Sequence, residues 1–276
     1  MDCAVVLRLN TIMAKTQREL AFLRDLYITD DWTRRFTELA DKHVDLKRVE
    51  NLLYLNAGTG SHCFELREKL GDDAAVFASC ENEDLLTIAR DKAIALRSDV
   101  DFSTIRFEDD AFDVVIADAS FVSPSELFAL IQESTRVAKP GGRVGVMIPA
   151  SGSFGEIFSL LWEVMFNESI GRNGAETEEL VTQLPTVANI EKMAHGAGLT
   201  RVETRSAAEV FEYDDGAAFA ASPLIIDFLM PGWLNGLEEN EKEQVIDKLA
   251  QLIDDEDGLL SYRFSVKAVL LTGTKL

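Results

Sequence analysis

Gly58 and Gly60 stand at the end of an apolar run, Leu52-Leu53-Tyr54-Leu55-Asn56-Ala57, and just ahead of a segment with helical spacing. Glycine carries no Cβ, so the chain can turn sharply here and let a ligand lie on the backbone N–H groups that open the next helix. A lone G-x-G is usually only a tight turn, but between a strand and a helix it suits an adenosine-containing ligand. About twenty residues further on, the next apolar run ends at Ser79-Cys80-Glu81, where nucleotide folds place an acid for ribose hydroxyls; Glu81 is the candidate. Asp101 and Phe102 follow a third strand, where a carboxylate and a ring can bracket an adenine; Phe102 reads equally well as core.

These positions need a layered scaffold. Helical spacing of Leu20, Leu23 and Tyr27, then Trp32, Phe36 and Leu39, predicts two short helices between Thr16 and His43, broken near Thr29-Asp30-Asp31, with Asp30 or Asp31 capping the second. Strands are expected at Asn51–Leu55, Ala75–Ser79, Val100–Ser103, Phe112–Ala117, Val144–Ile148, Thr200–Thr204 and Tyr262–Leu271. Helices are expected from about Ser61, at Glu83–Leu96, Ser123–Ala138, Gly155–Phe166 and Val187–Ala197, with a turn at Pro140–Gly142. This alternation implies an α/β fold around a largely parallel sheet whose centre is the near-continuous apolar strand Phe112–Ala117. Residues 207–261 interrupt it with the apolar segment Pro223–Leu234 and the acidic amphipathic helix Glu238–Ile253. The expected organisation is therefore an N-terminal extension and helices over 1–45, a Rossmann-like domain over 46–206 and 262–276, and a helical insertion or lid over 207–261.

Taken in order, the series resembles the class I S-adenosylmethionine-dependent methyltransferases, in particular the type 11 group. The glycine turn after strand one, Glu81 near the end of strand two, Asp101, Phe112-Asp113-Val114-Val115, Arg136-Val137-Ala138-Lys139-Pro140-Gly141-Gly142 and Ala197-Gly198-Leu199 carry the likeness, which covers roughly Asn51 to Thr204. The resemblance implies a seven-stranded sheet, mostly parallel with the last strand antiparallel. It implies S-adenosyl-L-methionine as cofactor, held by Tyr54, Asn56, Ala57, Gly58, Gly60, Cys80, Glu81, Asp101, Phe102, Asp118 and Ser120.

The acceptor, a small molecule, would sit beyond strands one and four beside Asp118, Ala119, Ser120 and Phe121. Methyl transfer from a sulfonium asks the protein mainly to align and desolvate the nucleophile, so few catalytic groups are needed. Asp118 is best placed to orient the acceptor or take its proton, and reads equally as a cap for the helix after Pro124. Phe219, Phe228 and Trp233 can line an apolar pocket under a lid or form the insertion's own core; Trp32 in the N-terminal helices invites the same two readings.

Three positions depart from the family pattern. Tyr54 replaces the strand-one acid that helps hold the methionyl part, Asn56 replaces the first glycine of the loop, and Cys80 aligns with the ribose acid, leaving Glu81 one place later. A one-residue offset on a strand reverses the side chain's face. These changes make a non-catalytic relative, kept as a binding or scaffolding module, the alternative reading. A nicotinamide-dependent oxidoreductase would want a third small residue where Cys63 stands, and it lacks a Tyr-x-x-x-Lys.

Ser151-Gly152-Ser153-Phe154-Gly155 misses the first glycine of a hydrolase nucleophile elbow, and aligning Gly258 with a calcium loop puts Ile253 and Phe264 at ligand positions. His43, His62 and His195 have no partners at metal spacing, so no metal is expected, although His62 lies near enough to the glycine turn to touch a ligand. The balance of 27 basic against 48 acidic residues, net charge -21, repels nucleic acid and anionic lipid alike, so neither is an expected partner of this acidic protein. Cys3, Cys63 and Cys80 are too scattered for a disulfide framework and fit a reducing, cytoplasmic location. The apolar stretch Cys3–Met13 is too short to span a bilayer and lacks the marks of an export signal; residues 1–12 read as a loose extension, with Met13 a conceivable start. Pro223–Leu234 reads equally as a homodimer contact.

Overall fold

The chain is described here from a computed structural model, which covers residues 15–276 except 73, 105, 173 and 258–260. The readings placed on Cys3, on residues 1–12 and on Gly258 lie outside the described residues. Seven strands form one sheet: β1 (Asn51–Leu55), β2 (Ala75–Ala78), β3 (Asp101–Phe102), β4 (Phe112–Asp118), β5 (Ala138–Pro149), β6 (Leu199–Tyr213) and β7 (Tyr262–Lys275). Their order is β3-β2-β1-β4-β5-β7-β6, with β7 antiparallel to both neighbours and the other pairings parallel.

Because side chains alternate across a strand, each central strand feeds two cores. Leu52, Tyr54, Val114, Ile116 and Met147 join a larger core on one face, while Leu53, Leu55, Val115, Ala117, Val144 and Val146 join a second core on the other. The larger core receives α3 (Ser61–Leu70), α4 (Glu83–Leu96) and α6 (Gly155–Asn167), all of which follow α1 (Gln17–Leu23) and α2 (Arg34–His43) in the chain; α2 itself also packs there. The second is covered by α5 (Leu127–Val137) and, beyond α7 (Ala175–Gln183), by α8 (Val187–Gly196).

The N-terminal helices differ from the sequence expectation. Instead of a break at Thr29-Asp30-Asp31, α1 and α2 are joined by a wide, π-type helical segment, Arg24–Thr33, and neither Asp30 nor Asp31 is a cap. Arg24, Ile28, Trp32, Phe36 and Ala40 are all buried, a spacing of four residues. Such a row drifts around an α-helix of 3.6 residues per turn, and the wider i→i+5 bonding takes up the drift. The apolar pattern therefore changes phase without ending the helix.

Smaller differences follow the hydrogen bonds. The helix expected from Ser123 starts at Leu127, and Pro140–Gly142 lies within β5 beside a register shift in the β4 pairing. The strand expected at Thr200–Thr204 runs on to Tyr213, because β7 supplies partners to every residue of β6 from Glu203 to Tyr213, past an irregularity after Thr200. The insertion thus begins after this ribbon, as α9 (Gly216–Ala221), a second π-type segment (Leu224–Leu229), α10 (Met230–Trp233) and α11 (Glu239–Asp257). Asp254, from the acidic run, accepts the Gly216 N–H at 2.7 Å and ties α11 to α9. Among the described residues no helix is long and apolar enough to cross a membrane.

Candidate active site

The sheet order reverses between β1 and β4, so the connections leaving their carboxyl ends diverge, and this switch point is the place where ligands lodge in open α/β sheets. Asn56 spans this switch point: its side-chain amide donates to the Asp118 carbonyl at 3.1 Å, joining the ends of the two strands. Asn56 has φ 57°, a left-handed conformation that asparagine tolerates better than most side chains. Gly60 has φ 82°, and a Cβ there would come within 2.5 Å of the Phe102 ring. Phe102 is buried, packs edge-on against Phe64 and supports the glycine turn from below, while Asp101 is exposed at the sheet edge.

Three N–H groups of the turn already have partners. Ala57 donates to Ser79 O at 2.8 Å and Gly60 to Ala57 O at 2.9 Å. Gly58 donates to the carboxylate of Glu81 at 3.0 Å, and the other Glu81 oxygen lies 2.6 Å from Nη2 of Arg24. The offset that leaves Glu81 one place past Cys80 thus still allows its side chain to reach the turn, because β2 has ended at Ala78. The Arg24 guanidinium lies against Gly58, 3.2 Å from where a Cβ would stand, and over the face of Phe121. The next residue, Asp25, accepts from the Thr59 hydroxyl at 2.6 Å and from Lys92 at 2.6 Å; Lys92 also reaches the Ser61 hydroxyl at 2.8 Å.

Tyr54, in place of an acid, begins a chain of polar groups that runs from the core to the surface. Its hydroxyl lies 3.2 Å from Nδ1 of His62, and Nε2 of His62 lies 3.1 Å from Asp41, which Lys69 approaches to 2.7 Å. Burial pushes the Tyr54 hydroxyl well above its ordinary pKa, with the nearby Asp118 charge adding to the effect. Burial acts to raise Asp41, but hydrogen bonds from His62 and Lys69 hold it down at about 2. Ligand atoms of Asp41, His62 and Glu65 lie within 4.8 Å of one another, yet Lys69 already brings a positive charge to Asp41.

Asp118 is buried at the end of β4, and burial raises its pKa against the opposing pull of Arg24 and of hydrogen bonds from Ser120. The Ser120 N–H bonds to its carboxylate at 2.7 Å, an interaction local to the loop rather than at the first turn of the following helix. Cys80 is pushed up to about 12 by burial and by the charge of Glu81, and Cys63 is raised by burial, so neither is a thiolate.

Beside the loop after β4 the rings converge. Trp32 packs 5.1 Å from Phe36, 5.4 Å from Phe121, 6.1 Å from Phe154 and 5.5 Å from Phe211. Phe228 meets Phe121 at 5.6 Å and Trp233 meets Phe154 at 5.0 Å, whereas Phe219 is buried between Tyr213 and Tyr262.

The sequence positions Tyr54, Asn56, Ala57, Gly58, Gly60, Glu81, Asp118 and Ser120 thus lie together at the carboxyl ends of β1, β2 and β4, with Cys80 partly buried beside them and Phe102 packed against the glycine turn. Sequence reasoning missed Arg24, Asp25 and Asp41. A signal was available for Arg24 alone, a charged residue in step with the buried Ile28 and Trp32; Asp25 and Asp41 carry none.

The expected cofactor meets a turn whose Gly58 N–H is taken by Glu81 and whose space beside Gly58 holds Arg24. In this conformation the residues do not fit it.

Comparison with known proteins bears on the same segment. A sequence model described as a methyltransferase domain matches residues 53–142. A demethylmenaquinone methyltransferase of Lactococcus lactis is 27% identical over 203 residues, 64% of this chain and 80% of that protein. Coverage of such relatives is uneven: the chain spans 46% of the demethylmenaquinone methyltransferase of Shouchella clausii, to which it is 28% identical. Among solved structures, the YcgJ protein from Bacillus superposes with TM-score 0.56 at 14% identity over 88% of this chain and 98% of that one. A Haemonchus contortus phosphoethanolamine N-methyltransferase, in complex with phosphomonomethylethanolamine and S-adenosylhomocysteine, gives TM-score 0.53 at 12% identity over 94% of this chain and 57% of that one.

Proposed function

For a chain that belongs to the class I S-adenosylmethionine-dependent methyltransferases, we infer transfer of a methyl group from S-adenosyl-L-methionine to a small, partly apolar acceptor. The observation that carries this reading is the position of the glycine turn, Asn56–Gly60, at the reversal of strand order, with Asn56 bonded to the end of β4. Glu81 beside that turn is suited to sugar hydroxyls once Arg24 is elsewhere. Asp118, buried with a raised pKa, is suited to hold or accept a proton at the mouth of β4.

The choice of acceptor follows from the neighbouring rings. Trp32, Phe121, Phe154, Phe228 and Trp233 pack against one another as an apolar cluster that reaches the loop after β4, and a net charge of -21 opposes a phosphorylated acceptor. Of the two kinds of compound for which the relatives are named, the demethylmenaquinone kind suits this cluster better than the phosphoethanolamine kind.

A second reading is favoured by one specific observation: Gly58 and Glu81 are satisfied internally, as in a fold that keeps its shape without cofactor. Calorimetric titration with S-adenosylmethionine and S-adenosylhomocysteine, with NAD as control, separates the two. Micromolar binding of both sulfur compounds and none of NAD supports the transferase and justifies a screen of apolar acceptors. Folded, ligand-free protein that binds neither at millimolar concentration supports the scaffold instead.

A further inference from the structure

The segment Arg24–Thr33 meets the glycine turn through two consecutive side chains, and both make contacts a ligand would need. Arg24 pairs with the acid whose other oxygen holds the Gly58 N–H, and Asp25 takes the hydroxyl of Thr59. Arg24 and Thr59 are both almost fully buried, so these contacts exclude water from the turn.

The same segment concentrates the features that make a closed state easy to leave. Arg24 is taken out of water against an acid that is itself a quarter exposed, and attraction in such buried pairs roughly offsets the desolvation cost. Trp32 is fully buried, and its indole N–H has no hydrogen-bond partner among the described residues, which costs stability in an apolar surround. The backbone itself holds ten residues of π-type helix, a form that is rare and usually confined to single turns at functional sites.

We propose that Arg24 and Asp25 are a built-in occupant of the cofactor site, and that residues 24–33 form a strap that must leave the glycine turn before S-adenosylmethionine can enter. The proposal rests on the methyltransferase reading above. It makes the arginine and the cofactor mutually exclusive at Gly58 and Glu81. The apparent affinity of the wild-type protein is then lowered by the fraction of molecules whose strap is open. It also gives the N-terminal helices a role beyond packing: the aromatic contacts of Trp32 close or open together with Arg24.

The test is titration of S-adenosylhomocysteine into the full-length wild-type protein and the variants Arg24→Gln and Asp25→Asn, each checked for folding by circular dichroism. The expected result is tighter binding by about tenfold for Arg24→Gln and a smaller gain for Asp25→Asn, since either change favours the open strap. Asp25→Asn keeps the buried Arg24–Glu81 pair and so remains informative if Arg24→Gln does not fold. Wild-type binding with equal or weaker binding by the variants would overturn the strap while leaving the methyltransferase reading intact. No binding by any of the three at millimolar ligand would overturn both.

Discussion

The two ends of β1 and β4 carry the same strands and opposite lessons. At their amino ends Asp113 accepts the backbone N–H groups of Glu50 and Asn51 at 3.1 and 2.8 Å and pairs with Lys139 at 2.9 Å. Nearby Arg136 bonds Glu133 at 2.6 Å and the Phe107 carbonyl at 2.8 Å. These are residues of the recognisable motifs, and what they do is fasten strands and helix α5 together. At the carboxyl ends, where ligands lodge in such sheets, Gly58 and Gly60 are kept but Tyr54, Asn56 and Cys80 replace the expected residues, and the contacts come from Arg24, Asp25 and Asp41, earlier in the chain. The motif residues at the amino ends fasten the sheet, while those at the carboxyl ends, the glycine turn and Glu81, are engaged by side chains from outside the motifs, so likeness to the family does not by itself guarantee ligand competence.

Substitutions at either end sharpen that contrast. The largest effect is expected from Gly60→Ala, which combines a left-handed backbone with a clash against Phe102; a loss of about 3 kcal/mol in chemical denaturation follows from the two costs together. Next, Asp113→Ala leaves two backbone N–H groups without their acceptor and should cost about 2 kcal/mol, yet leave ligand affinity unchanged. A change in affinity without loss of stability would break the comparison, since it would make the lower end part of the site.

Much of the fold was legible because it rests on local patterns: alternation along β1 and β4, glycine turns, and helices whose apolar spacing matches their period. Asn56, Gly58 and Gly60 were legible for the same reason, since their left-handed backbone is a local demand. The unbroken helix through Thr29–Asp31 was hidden by a π-type segment that shifts the period. The pairing of Glu81 with Arg24 was hidden because it joins residues 57 positions apart, and no rule of spacing connects them. Tyr54 read as a lost acid; only the fold reveals that it leads through His62 to Asp41.

That chain of polar groups gives two smaller expectations. Tyr54→Phe removes the partner of His62 Nδ1 and should cost about 1 kcal/mol in denaturant midpoint experiments. Asp41→Asn should cost somewhat under 1 kcal/mol at neutral pH, because water screens a half-exposed carboxylate. Asp41 sits at about 2 when folded and about 3.9 when unfolded. Its folded-state pKa is depressed, so its contribution is present above about pH 4 and fades as pH falls toward 2. Stability curves of wild type and Asp41→Asn measured across that window should converge at the acid end; curves that stay parallel would mean that the carboxylate's charge is not what holds His62.

The most direct test of the account is hydrogen exchange on the wild-type protein with and without saturating S-adenosylhomocysteine. The account predicts opposite changes at two places: faster exchange along Arg24–Thr33 as the strap leaves, and slower exchange across Ala57–Ser61 as ligand takes over the turn. Slower exchange at both places would contradict it, because ligand and strap would then occupy the turn together.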